Sequence, residues 1–265
     1  MTVSVQVVEI TPDLAREWLN GHNRHLRPTV WQRYMRDMLA GAWNGLNGET
    51  IKRATDGTTP DGQHRLKAII ESGCTVPSLV VFGMTPEDQA TIDRGLPRGI
   101  PDALRFRGEK DVNNLAAAIA QVIVMQSPAP TQNDFWPSTP EALTFLDQHP
   151  TIRESLLVGG RVRSMLRTPA STAAAMHFVF SQIEAEDADG FFEGLISGAG
   201  LPEDSPILRL REVMYRETTA QRRMGRPRLQ ALYIKSWNSW REGKPMFLLR
   251  WKTGGSNAEK FPVPA

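Results

Sequence analysis

The stretch Asp56 to Ala68 (DGTTPDGQHRLKA) holds the densest grouping of reactive side chains in the chain. Asp61, Gly62, Gln63, His64 and Arg65 place an acid, a flexible backbone position, an amide, an imidazole and a guanidinium side by side. A turn of this composition running into a helix suits a phosphate. Free N–H groups at the helix start attract anions, Gly62 lets the backbone come close, and Arg65 can grip through two donors. Asp61 adds a carboxylate for Mg²⁺ or a substrate hydroxyl. A purely structural reading also stands, in which Asp61 caps the helix and His64 and Arg65 lie exposed on it.

Two further groups have comparable content. Thr91 to Arg98 (TIDRGLPR) puts Asp93 and Arg98 in a loop that converges with Asp61 if both lie at one edge of a small sheet; Asp93 as a simple turn former is the alternative. Arg222, Arg223, Arg226 and Arg228 cluster around a Gly-Arg-Pro centre, which reads as a helix start with Pro227 in its first turn and arginines free for DNA phosphates. Lys235 follows on the same helix. Tyr233, Trp237 and Trp240 repeat at helical spacing, the pattern of a buried face rather than of base stacking.

The elements that must position these groups are legible in the first hundred residues. Val3 to Ile10 is β-branched and apolar, and Thr11-Pro12-Asp13 opens a helix to about Leu19. Asn20 to Pro28 is a polar loop. Apolar residues then repeat at helical spacing to Ala40, with Gly41 as the stop. A strand over Thr50 to Ala54, a turn at Asp56-Gly57, a helix from Gln63 to Ser72 ended by Gly73, and a strand from Val76 to Phe82 follow. Thr85-Pro86-Glu87 begins another helix. Past Pro101 strand signals nearly vanish, and helices are expected over Asp111 to Met125, after Thr139, after Thr168, near Asp187, and from Leu229 to Trp240. The expected class is α+β: a small mixed sheet with helices over residues 1–100, then an all-helical, basic, DNA-interacting region over residues 101–265.

Composition limits the functions. The 265 residues are 40% hydrophobic and 23% charged, an ordinary globular balance. No apolar run approaches a membrane span, and the first ten residues lack a signal-peptide pattern, so no membrane partner and a cytoplasmic setting, in a bacterium or a phage-infected one, are expected. The single cysteine, Cys74, excludes an internal disulfide and a cysteine zinc site. The net charge of +2 hides a polarity: residues 181–204 carry seven acids and no Lys or Arg, while residues 209–260 carry thirteen basic and four acidic residues. Such an excess suits a nucleic-acid backbone, and a solvated charged face is the plain alternative.

Three segments together, LNGETI (Leu46 to Ile51), DGQHRLKAI (Asp61 to Ile69) and VPSLVVF (Val76 to Phe82), resemble the ParB/sulfiredoxin superfamily. The resemblance covers roughly residues 3 to 100. It implies a turn and helix that hold nucleotide phosphates, with ATP or another nucleoside triphosphate and Mg²⁺ as cofactors. The sulfiredoxin signature has its reactive cysteine where this chain has Gln63, which disfavours thiol chemistry. The segregation proteins carry a Gly-Glu-Arg-Arg type box at Gly62 to Arg65. Hydroxyl kinases of the superfamily, with an Asp-Gly-His-x-Arg type turn, are matched better by Asp61, Gly62, His64 and Arg65. The resemblance also implies that Asn23 and Arg24, in the polar loop, complete the nucleotide site. The expected activity is phosphoryl transfer from a triphosphate to a DNA base hydroxyl, such as that of a hydroxymethylpyrimidine. Asp61 or Glu49 would activate the hydroxyl or hold Mg²⁺, and His64, Arg65 and Arg24 would bear the phosphoryl charge. A nucleotide-switched DNA-binding protein without catalysis and a ParB-like nuclease are the competing expectations.

Overall fold

The computed structural model of the protein describes residues 2–19, 26–85, 99–127, 135–220, 224–254 and 257–265. The chain divides into two compact units, Met1–Arg98 with Asp134–Glu141, and Gly99–Asn133 with Ala142–Ala265.

In the first unit, strands β1 (Ser4–Ile10), β2 (Thr50–Ala54) and β3 (Val76–Met84) form one sheet in the order β1-β3-β2. β1 runs antiparallel to β3 and β2 parallel to it. A parallel neighbour requires a crossover, which here is helix α3 (Gln63–Ser72). Helix α1 (Pro12–Trp18) begins where the Thr11 hydroxyl accepts the Leu14 N–H, and α2 (Pro28–Leu39) begins on a proline. Ile10, Ile51, Val76 and Val80 from one sheet face close on Leu66 and Ile69 of α3, Trp18 of α1 and Met38 of α2. That packing fixes where α3 starts relative to β2.

The segment Asp134–Glu141 closes this unit from far along the chain. Arg36 grips Glu141 through Nε and Nη2, at 2.7 and 3.2 Å, and the Ser138 hydroxyl donates to the Asp37 carboxylate. Asp37 is buried on α2. Burial holds its carboxyl above the usual range, although the Ser138 hydroxyl and the nearby arginines pull it down. Glu141 goes the other way: burial opposes its ionisation, but Arg36 and the Ser138 N–H hold its carboxyl below the usual range.

Among the described residues, the regular structure of the second unit is all helix, followed by an irregular C-terminal segment. It comprises α4 (Ile100–Phe106), α5 (Val112–Met125), all but the first turn of α6 (Thr139–Gln148), α7 (Ile152–Leu166), α8 (Ala170–Ser181), α9 (Ala185–Ser197), α10 (Pro206–Thr219) and α11 (Arg226–Arg241). Gly159 lets α7 approach α8: a Cβ there would lie 2.3 Å from the Ala170 carbonyl oxygen. Trp237 is fully buried and stacks on Phe180 with centroids 4.4 Å apart, so the aromatic stripe of α11 is core.

The described fold is therefore α+β and mostly helical, with eleven helices and one small mixed sheet. β3 continues two residues past the expected end. Helices α4, α7 and α10 have no counterpart in the sequence reading, and the helix expected at Thr85-Pro86-Glu87 lies largely outside the described residues. Among the described residues, no helix is long and apolar enough to cross a membrane.

Candidate functional site: the start of helix α3

The turn after β2 folds back on its own strand. The Lys52 N–H donates to the Asp61 carbonyl at 3.1 Å, and Lys52 Nζ meets Asp61 Oδ2 at 2.7 Å. Arg65, one turn into α3, reaches the same Oδ2 at 3.3 Å and donates to the Thr50 carbonyl at 2.7 Å. Asp61 is therefore not the helix cap, because Gly62 takes that position with no side-chain acceptor. Gly62 sits at φ 101°, in the left-handed region, and a Cβ there would lie 2.9 Å from Ile51 Cγ1. The backbone conformation and the buried Ile51 account for this glycine.

Gln63 is turned into the unit. Its amide nitrogen donates to the Thr59 carbonyl at 2.8 Å, and its buried Oε1 has no hydrogen-bond partner. His64 Nε2 accepts the Arg27 N–H at 3.1 Å, which fixes that nitrogen as an acceptor. Arg27 is the residue before Pro28, so this bond sets the starts of α2 and α3 side by side. The start of α3 lies beside Lys52 and Arg65 through Asp61, and the start of α2 joins it at His64; helix starts favour an anion.

Glu49 is exposed on the turn before β2, and its carboxylate enters no hydrogen bond or ion pair among the described residues. It adjoins Thr50, whose carbonyl anchors Arg65. Asn23, Arg24, Asp93 and Arg98 lie outside the described residues. Lys52 and Arg27, which the sequence reading did not single out, belong to the site. A lysine two positions into a strand gives no local sign that it will meet an acid nine residues on.

Mg²⁺ finds a poor fit among these side chains. The Asp61 oxygen that faces the site already holds two cations, and among the described residues no three His, Cys, Asp or Glu side chains come together as a metal-ligand group.

The basic segment is partly engaged within its own unit. Lys235 donates to Glu259 at 2.5 Å and to the Arg250 carbonyl at 2.7 Å, so its ammonium is held by the C-terminal segment. Arg228 lies 3.5 Å from Glu217, and burial holds the Arg226 guanidinium below its usual range. Arg222 and Arg223 lie outside the described residues. Arg216, Arg250, Lys252 and Lys260 are exposed and enter no ion pair among the described residues. No family model, no curated protein and no solved structure matches the chain.

Proposed function

We propose that the first unit binds the phosphates of a nucleoside triphosphate at the paired starts of α2 and α3 and transfers the terminal phosphoryl group to a hydroxyl on DNA. The observation that carries the reading is the bond from the Arg27 N–H to His64, which joins the start of α2 to the start of α3, where Asp61 holds Lys52 and Arg65. Helix N–H groups and charged donors supply what a phosphoryl group needs as charge spreads over its oxygens.

A hydroxyl also needs a base. Between the two carboxylates considered, Glu49 is the better candidate, because Asp61 is already neutralised by Lys52 and Arg65. Asp61 then acts as a positioning residue that aims both cations. In this reading DNA contacts fall to the exposed Arg216, Arg250, Lys252 and Lys260. One observation favours a second reading, nucleotide-governed DNA binding without transfer: the acid nearest the phosphate turn is held in two ion pairs.

The test follows γ-labelled triphosphate with DNA that carries or lacks hydroxymethylated bases. Label entering only hydroxymethylated DNA supports transfer. Free phosphate released with both supports the second reading, and strand scission would move the protein to the nucleases. Calorimetry with ATP, GTP and CTP tests the site itself. Arg65→Ala should weaken binding by about 1.5 to 3 kcal/mol, the scale of a charged hydrogen bond. Wild-type protein that binds none of the three would overturn the assignment. Glu49→Gln should keep nucleotide affinity while losing about 10²-fold or more in transfer.

A further inference from the structure

The second unit contains a cleft of about 380 Å³ between α7, α8 and α9, within the size range of small-molecule sites. Its walls are apolar, formed by Val158, Phe192 and Ile196. Facing them is His177, buried in a stretch of α8 that is otherwise apolar. The imidazole is fixed from both sides. Ser155, itself buried, bonds Nδ1 at 2.9 Å, and Asp189 meets Nε2 at 3.0 Å. A carboxylate only accepts, so Nε2 carries the proton. A nucleophilic role for Ser155 does not fit, because the residue is 2% exposed inside a helix and does not line the cleft.

The charges on the rim decide the ligand class. Arg161 and Glu193 neutralise each other at 2.7 Å. Among the described residues Asp189 bonds His177 alone, and its side chain is 76% exposed at the mouth. Arg161, Asp189 and Glu193 together thus leave one net negative charge on the lining, beside aliphatic walls and the buried Phe192 ring. We propose that this cleft binds a small organic ammonium with an apolar body, its cationic head on Asp189 and its body against Val158, Phe192 and Ile196. The Phe192 ring is 1% exposed and lies 5.1 Å from the His177 ring, so it closes the floor of the cleft rather than its mouth. Arg161 and Ile196 line an adjoining recess with Leu157 and Met165, which gives a longer apolar body room to continue.

The proposal is independent of the reading given for the first unit, and its test uses the whole chain. Phenethylammonium, phenethyl alcohol and hydrocinnamate present one apolar body with a positive, neutral or negative head. Titration of each, followed by amide and aromatic NMR shifts, should show the ammonium binding tightest and its perturbations centred on His177 and Phe192. Two substitutions at exposed side chains should then move its affinity in opposite directions. Asp189→Asn should weaken binding, and Arg161→Ala, which releases Glu193, should strengthen it, each by about two- to fivefold, the scale of an exposed charge contact. Equal binding of the three probes, tighter binding of the anion, no binding at millimolar concentration, or variants that shift affinity in the same direction would each overturn the proposal.

Discussion

Gly62→Ala is the most searching test of the local architecture, because two separable costs meet at one atom. At φ 101° an alanine must adopt the left-handed region, which costs roughly 1 to 2 kcal/mol. Its Cβ would also meet Ile51 at 2.9, 3.1 and 3.2 Å, and Ile51 is 1% exposed beneath α3. With no open side to yield toward, relief of this overpacking adds about 1 to 3 kcal/mol. The sum, about 2 to 5 kcal/mol, is a large part of the stability of an ordinary domain. Ile51→Ala separates the terms. It removes the two Cγ atoms that clash while leaving the backbone requirement untouched, so the double variant should be less destabilised than the sum of the singles. The coupling should equal the overpacking part. Because the chain has two units, hydrogen exchange at α3 amides is a better measure than a whole-molecule melt. Additive singles would show that Ile51 does not face Gly62. A neutral Gly62→Ala would refute the left-handed cap itself.

Other outcomes follow from groups whose partners are known. Asp37 is held above its unfolded value by burial, so its contribution to stability is full below that value and is lost as pH rises through the folded one. Asp37→Asn should therefore be more stable than wild type at neutral pH and lose that advantage in acid; a constant gap across pH would reject it. Glu141 has the opposite sign: its contribution is present above the unfolded value and disappears as pH falls through the folded one. Glu141→Gln should cost about 1.5 to 3 kcal/mol at neutral pH, read by urea unfolding, and little in strong acid. For DNA binding, Lys235→Ala should leave the slope of log K against log salt unchanged, whereas each lost phosphate contact among Arg250, Lys252 and Lys260 should flatten it by about 0.9.

The legible parts of the fold were those fixed by neighbours in sequence. Thr11-Pro12, Gly73 and the short apolar run from Val76 act within a few residues, and the elements they bound lie close to where spacing puts them. Helix α7 had no counterpart in the sequence reading, and the role of its Gly159, close approach to α8, depends on a helix that comes later in the chain. The site shows the same division. The stretch Asp61 to Arg65 is visible as a pattern, but the acceptor role of His64 depends on Arg27, and the pairing of Asp61 depends on a strand register. The engagement of Lys235 was illegible for the same reason. Its partner Glu259 comes 24 residues later, beyond the reach of helical spacing. His177, lost in an alanine-rich helix, gained meaning only when Ser155 and Asp189 met it from two other helices.

The tie between α2 and Asp134–Glu141 has a consequence for how the protein is made. At about 5 to 20 residues per second, a ribosome needs roughly 2 to 9 s to travel from Arg98 to Glu141. Through that interval Arg36 lacks its carboxylate and Asp37 lacks the Ser138 hydroxyl. The nascent first unit is thus left with an open polar seam on α2 while α4 and α5 are being synthesised. Completion of the earlier-made unit waits on the later one, and an expression fragment cut at residue 98 would keep that seam open permanently.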